Sequence, residues 1–562
     1  MLLPSSDTRM KNGGISMMEH VSSFANLSFD PLSRRYASGR SPVYAARGMA
    51  ATSQPLAAAA AVDIMKAGGN AVDAAVAAAA CMTVLEPTSN GLGSDAFTIV
   101  WHKGEIYGLN ASGYSPKNLT AEKVLAAGFP AVPDRGWYPV MVPGAVAGWK
   151  ALSERFGTLP FEELMKPAIR YAEEGYPVSP VVSHLWKQGF DIFSVRKSPE
   201  FAPWMDHFAP KGHAPAAGEM WRSPDMAKTL ARIGETGAED FYRGELAERI
   251  VRFSDETGGF LSAEDLAGYK PLWVKPVSVN YRGTDVWEMP PNGDGIVVLM
   301  ALAILNHLEL DKKNPESDRN VHRIIEALKL AYEDGLKYIA DPRTMEVSVE
   351  ALLSSSYAKK RAALIGEKAI LPAAGNPNGS GTIYLCTADS DGTMVSHIQS
   401  NYSGFGSGIV IPGTGISLQN RGKAFSLDPS SPNVLAPGKK SFHTIIPGFL
   451  SKDGRAIGPF GVMGAFMQPQ GQLQVLTNLL DFGMNPQEAL DRPRWQWLKK
   501  KEVETEPEYP EEIRKALALR GHEMSINPNH NVYGRGQIIL RNSDGVLMGA
   551  SEPRADGCAA GW

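Results

Sequence analysis

Few residues in this 562-residue chain stand in a pattern that does chemistry by itself. It contains no G-x-S-x-G elbow, no G-x-x-x-x-G-K-[ST] loop, no H-E-x-x-H helix and no G-x-G-x-x-G between a strand and a helix. Serine hydrolase, nucleotide-binding and zincin readings therefore lose support. Cys81, Cys386 and Cys558 lie far apart without C-x-x-C spacing, which predicts buried thiols rather than a disulfide framework or a zinc site. Neither a metal nor an organic cofactor is expected. What remains is Gly379-Ser380-Gly381-Thr382, a glycine-rich approach to a threonine at the head of a strand-like run. A threonine hydroxyl becomes a nucleophile when a base stands beside it. Taken alone, the tetrad reads more simply as a loop entering a sheet.

The elements around it can be read from punctuation and period. From Pro372 to Gly381 the chain is rich in Pro, Gly, Asn and Ser, and the run Thr382 to Ala388 then reads as a strand. The turn Asp389-Ser390-Asp391-Gly392 leads to a returning strand, Thr393 to Ser400, so the threonine opens a hairpin. Beyond it, Phe405 to Ile411, Gly413 to Gly415 and Gly461 to Gly464 read as glycine-rich turns between short strands. Upstream, the alanine-rich stretch Pro55 to Leu85 reads as two packed helices split at Lys66 to Asn70. Further helices are predicted at 143–155, 162–175, 226–235, 245–256, 295–307 and 320–340, the last with Glu326, Lys329 and Glu333 on one polar face. The architecture is mixed α/β.

Composition narrows the partners. The chain is 43% hydrophobic and 21% charged with a net charge of −4, and no long basic run favours nucleic acid or an anionic membrane. The longest nearly apolar run, Ala74 to Leu85, is too short to span a bilayer. A small soluble substrate and a cytoplasmic location are expected. Residues 1–40, rich in Ser, Asn and Arg, read as a disordered leader, with Met17 or Met18 as possible true starts.

The blocks around Thr382 are not isolated. Thr382-Ile-Tyr-Leu-Cys-Thr-Ala-Asp-Ser-Asp-Gly392, Phe405-Gly-Ser-Gly-Ile-Val410 and Gly415-Ile-Ser-Leu-Gln-Asn420 resemble the start of the small subunit of γ-glutamyltransferases. Gly68 to Ala75, Val142 to Gly148, Phe241 to Gly244, Met289 to Pro291, Glu326 to Tyr332, Asp341-Pro342, Arg492 to Arg494 and Glu552 to Trp562 follow in that family's order. The resemblance runs from about residue 44 to the end. It implies an N-terminal nucleophile hydrolase, a four-layer αββα sandwich made as one precursor that cuts itself between Gly381 and Thr382. A large chain, 41–381, and a small chain, 382–562, would then pair as a heterodimer. The freed α-amino group of Thr382, with a pKa of about 7.7–8.0, would serve as base for its own hydroxyl. The resemblance also implies an oxyanion hole at the turn Gly464-Ala465 and auxiliary polar groups at Ser400 and Asn401.

The chain departs from the family where the substrate is held. Ser112 stands where the family places a carboxylate-binding arginine, Ala424 replaces an amine-binding aspartate, and His443-Thr444 replaces a serine pair. Arg421, His443, Thr444 and Ser112 are then the candidate substrate contacts, with Lys423 beside them, and Arg421 is suited to a carboxylate. A site that loses the aspartate and keeps a cation suits an acid without an α-amino group. The pattern resembles the branch that includes oxamate amidohydrolase of purine (allantoin) breakdown, which predicts hydrolysis of oxamate to oxalate and ammonia. Glutathione hydrolase or γ-glutamyltransferase activity, and cephalosporin (glutaryl) acylase-like activity, are the alternatives.

Overall fold

The computed structural model describes residues 22–24, 27–29, 39–372 and 382–562. Two seven-stranded sheets dominate, and every strand pairing within them is antiparallel. The first sheet runs Cys558–Gly561, Gly48–Thr52, Ile383–Asp389, Met394–Ser400, Asp95–His102, Glu105–Ala111, Leu272–Val274. The second runs Val277–Tyr281, Thr284–Glu288, Gly448–Lys452, Arg455–Met463, Arg535–Arg541, Leu547–Ser551, Val43–Ala45.

The buried apolar residues fall into separate cores that define the layers. One core joins the sheets face to face, with Met49, Phe97, Tyr384 and Ile398 meeting Met289, Phe449, Met463 and Ile539. A second packs the helices Pro55–Lys66 and Ala71–Leu85 on the first sheet. A third packs Gly295–Leu305, Asp318–Tyr338 and Met467–Leu480 on the second. The result is the expected αββα sandwich.

Local sequence explains the helix that abuts the hairpin. In Ala71–Leu85 every residue is buried, and its alanines permit close approach to the sheet. Asn70 and Asp73 close a capping box at its start, satisfying amides the helix cannot satisfy itself. Asp389 Oδ2 accepts the Ala71 N–H at 2.9 Å, which ties the helix to the far end of the strand that begins at Ile383. Five predicted helices occur as Phe161–Glu174, Pro224–Glu235, Glu245–Glu256, Gly295–Leu305 and Asp318–Tyr338. The one predicted at 143–155 is Ala145–Phe156.

Two expectations change. Glu326 and Lys329 do not face solvent: both side chains are 0% exposed and pair at 2.7 Å, while Glu333 is half-buried. The helix carrying them is packed on more than one side, and period alone does not report what a polar stripe faces. Residues 405–418 form turns with isolated bridges, Val410 to Ser417 and Gly93 to Leu418, rather than short strands. In the expected leader, Ser22–Phe24 and Leu27–Phe29 pair as a short antiparallel hairpin, and its other residues through 38 lie outside the described residues. Gly381, the upstream half of the expected cleavage site, also lies outside them. No helix among the described residues is long and apolar enough to cross a membrane.

Candidate active site

The hairpin register brings two hydroxyls together. Ile383 pairs with Gln399, so Thr382 and Ser400 come level at the open end, and their Oγ atoms share a hydrogen bond of 3.0 Å. Ser400 Oγ also accepts the Tyr402 N–H at 2.7 Å. Thr382 is 1% exposed. Asn401 is held on both sides of its amide: Ser94 Oγ donates to its Oδ1 at 2.8 Å, and its Nδ2 donates to Ser417 Oγ at 3.2 Å. That bonding fixes the chain just beyond Ser400.

Gly464 and Ala465 follow the strand Arg455–Met463 of the facing sheet. Across the interior, Phe460 lies at Ser396 and Gly461 against the Tyr384 ring. Continuing three residues along that strand leads toward the end where Thr382 and Ser400 sit. Gly464 has φ 141° and Ala465 has φ 51°, the second in the left-handed region that costs a non-glycine residue about 1–2 kcal/mol. Their carbonyls accept the N–H groups of Met467 and Gln468. Their own N–H groups donate to no backbone carbonyl among the described residues.

Arg421, His443 and Thr444 meet around a residue the sequence reading missed, Asp95. Arg421 Nε donates to Asp95 Oδ2 at 3.0 Å and Nη1 to Thr444 Oγ1 at 2.9 Å, and its guanidinium lies 4.3 Å over the Tyr402 ring. Arg421 Nη2 is buried without a partner among the described residues. His443 Nδ1 accepts the Ile445 N–H, so Nε2 carries the proton and donates to Asp95 Oδ2 at 2.7 Å. Burial, reinforced by Arg421, pushes the His443 pKa down to about 4, so the ring is neutral at neutral pH. Burial alone would raise Asp95, but Arg421 and His443 outweigh it and bring its pKa down to about 2. The trio is thus one ionised ion pair braced by a neutral imidazole.

Ser112 bonds to a different basic side chain, Lys440. Lys440 Nζ donates to the Ser112 carbonyl at 2.5 Å and to its Oγ at 3.0 Å, and lies 4.3 Å from the Tyr114 ring centroid. Burial lowers the Lys440 pKa to about 7. Lys440 follows Lys439 and precedes Ser441, and nothing local in that sequence signals its burial. Lys423 pairs with Asp134.

The Gamma-glutamyltranspeptidase family model matches residues 57–562. The oxamate amidohydrolase proenzyme of Klebsiella pneumoniae is 34% identical over 92% of this chain and 98% of its own. The glutathione hydrolase-like YwrD proenzyme of Bacillus subtilis is 36% identical over 89% of this chain and 95% of its own. Among solved structures, a cephalosporin acylase from Bacillus halodurans superposes with a TM-score of 0.92 at 54% identity, covering 95% of this chain and 99% of that one. The sandwich, the threonine at the head of its hairpin and these matches agree: the chain belongs to the gamma-glutamyltranspeptidase family, hydrolases that act on amide bonds through an N-terminal nucleophile.

Proposed function

We propose that this protein is a self-processing threonine amidohydrolase whose substrate is the monoamide of a small dicarboxylic acid. One carboxyl forms the scissile amide and the other, free, is held by Arg421. The observation that carries this reading is Arg421 itself: buried beside the Thr382 hairpin through Tyr402, it is fixed by two bonds and keeps one unspent donor, Nη2.

The chemistry proceeds in two stages. In the precursor the Thr382 hydroxyl attacks the Gly381 carbonyl, the acyl group shifts from nitrogen to oxygen, and water hydrolyses the ester to leave a free α-amino group on Thr382. In the mature enzyme that amine takes the proton of its own hydroxyl, and Oγ1 adds to the substrate amide carbonyl. The N–H groups of Gly464 and Ala465 receive the oxyanion, the leaving amine takes the proton, and water releases the acid from the Thr382 ester. Ser400, hydrogen-bonded to Thr382 Oγ1, orients that oxygen.

Oxamate is the smallest such monoamide, and the Klebsiella relative supports it. The Bacillus halodurans acylase, at higher identity, favours a longer glutaryl-type acyl chain as the second reading. Purified protein should run on a denaturing gel as two chains, residues 1–381 and 382–562, and should release ammonia from oxamate or amine from a glutaryl amide. A single full-length band with no turnover of either compound would overturn the proposal.

A further inference from the structure

Between His443 and the strand Gly448–Lys452 the chain runs buried and without a ladder. Thr444, Ile445 and Ile446 are 0% exposed and belong to no strand, and Pro447 has no N–H to offer. Backbone groups sealed into such a stretch must find partners elsewhere. Ile446 finds both of its partners on one helix. Its N–H donates to Gln468 Oε1 at 3.2 Å, and its carbonyl accepts from Gln472 Nε2 at 2.7 Å. Because a backbone N–H only donates and a carbonyl only accepts, the two bonds also fix which way each amide points.

Gln468 and Gln472 stand one turn apart on the helix Met467–Leu480, hence on the same face, and both are 0% exposed. That helix starts just after the turn Gly464–Ala465. The Gln468 N–H donates to the Ala465 carbonyl at 3.0 Å, and the Met467 N–H donates to the Gly464 carbonyl at 2.9 Å. Gln468 therefore holds the turn with its backbone and Ile446 with its side chain.

The gripped segment carries the other half of the site. Two residues before Ile446, Thr444 Oγ1 accepts from Arg421 Nη1 at 2.9 Å. The Ile445 N–H donates to His443 Nδ1 at 3.3 Å, and His443 Nε2 donates to Asp95. From Ala465 to Arg421 every step is a hydrogen bond or at most two residues of buried backbone. The grip has a cost: Gln468 Nε2 and Gln472 Oε1 are buried without partners among the described residues, and a half-satisfied buried amide is less favourable than an apolar side chain of the same shape. What the two amides secure is the position of Ile446 relative to the turn.

We propose that Gln468 and Gln472 are positioning residues that set the distance between the turn Gly464–Ala465 and the Thr444–Arg421 contact, and through it the length of acyl chain the site accepts. This rests on the amidohydrolase reading, in which the scissile carbonyl is polarised at that turn while a free carboxylate is held at Arg421. A site with two fixed points measures the separation between the two ends of a dicarboxylic monoamide. A misplacement of about 1 Å at the reacting carbon costs on the order of 10²-fold in rate, so holding Ile446 governs substrate choice as well as stability.

The test uses the self-cleaved protein and four monoamides that differ only in chain length, oxamate, malonamate, succinamate and glutaramate, read by ammonia release. The wild type should favour one length over the next best at least tenfold in kcat/KM. Gln468→Met and Gln472→Met, which remove the bonds to Ile446 with little change of volume, should each lower that preference at least fivefold and should still cut themselves before Thr382. Gln472→His, which retains a side-chain N–H, should recover at least half of it. A loss spread equally over all four lengths, as a purely structural role would give, overturns the proposal, and so does a wild type that prefers no length. Should the methionine variants fold poorly, Gln472→Asn decides: the same amide on a shorter stem should lower or shift the preference, and an unaltered preference overturns the proposal. Ammonia from none of the four compounds with wild type sinks the amidohydrolase reading as well; turnover with an unmoved preference sinks only the positioning role.

Discussion

Thr382 and Ser400 stand 18 residues apart in sequence, yet their hydroxyl oxygens meet at 3.0 Å because the hairpin register leaves both at its open end. If Thr382 is both the self-cutting and the catalytic oxygen, Thr382→Ala should abolish chain cleavage and turnover together, and Thr382→Ser should keep some of each. Ser400→Ala should slow cleavage without preventing it. Chain cleavage in Thr382→Ala, seen as two bands on a denaturing gel, would remove the assignment.

Arg421 anchors Asp95 and, in the proposed function, also holds the substrate carboxylate, so its removal should have two effects. Arg421→Ala leaves a buried carboxylate with only the neutral His443 and should destabilise the fold by about 3–5 kcal/mol. Arg421→Lys keeps a positive charge for Asp95 but lacks the planar fork. It should retain chain cleavage and lower kcat/KM for the best acid substrate by roughly tenfold or more. Thermal melting and steady-state kinetics on the two variants separate the roles; equal kinetics in Arg421→Lys and wild type would take Arg421 out of substrate binding.

The buried histidines should each disfavour the folded state in acid. Burial holds the pKa of His207, His397 and His443 down to about 4 and that of His522 to about 3, whereas an unfolded histidine titrates near 6.5. The unfolded chain therefore binds more protons than the folded one in that window. Stability present above pH 6.5 is lost as pH falls toward 4, by up to ~1.4 kcal/mol per pH unit for each group. Asp95, depressed to about 2, adds a further loss below about 4. In the folded protein the imidazole resonances of these four histidines should stay neutral down to pH 4.5 by NMR; titration of any of them near 6.5 would contradict its burial as a neutral ring.

The Glu326–Lys329 pair makes a separate stability prediction. Lys329 Nζ also donates to the Ile370 carbonyl at 2.8 Å, and the Ile370 N–H donates to Glu326 Oε2 at 3.2 Å. Lys329→Met alone should cost about 3–5 kcal/mol, because it strands a buried carboxylate, while Glu326→Leu with Lys329→Met should recover much of that loss. Melting temperatures in the uncut Thr382→Ala background give the comparison on one covalent chain.

Much of the scaffold was legible because its signals are local. Asn70 and Asp73 cap a helix three residues apart, and Asp389 to Gly392 turns a hairpin within four. Thr382 stood out through the glycines before it and the ordered blocks around it. Asp95 and Lys440 did not, since each acquires its meaning from a partner far along the chain: Asp95 meets His443 across 348 positions and Lys440 meets Ser112 across 328. Polar residues of that kind look alike in sequence whether they face water or a sealed pocket. The Glu326 stripe was misplaced for the same reason, since its spacing is that of a helix and its environment is that of a core.

The order of strands in the first sheet has a consequence for a chain cut before Thr382. Gly48–Thr52 lies between Cys558–Gly561 and Ile383–Asp389, and Asp95–His102 flanks Met394–Ser400. In the second sheet Val43–Ala45 pairs with Leu547–Ser551, at the opposite end from Val277–Tyr281. The two products would be interleaved like the fingers of clasped hands. Parting them would strip ladder hydrogen bonds from both sheets at once and bare sticky strand edges on each piece. Scission would then be a covalent event with almost no mechanical one: the backbone opens at one point while the weave holds, and the threonine gains an amine without its surroundings coming apart.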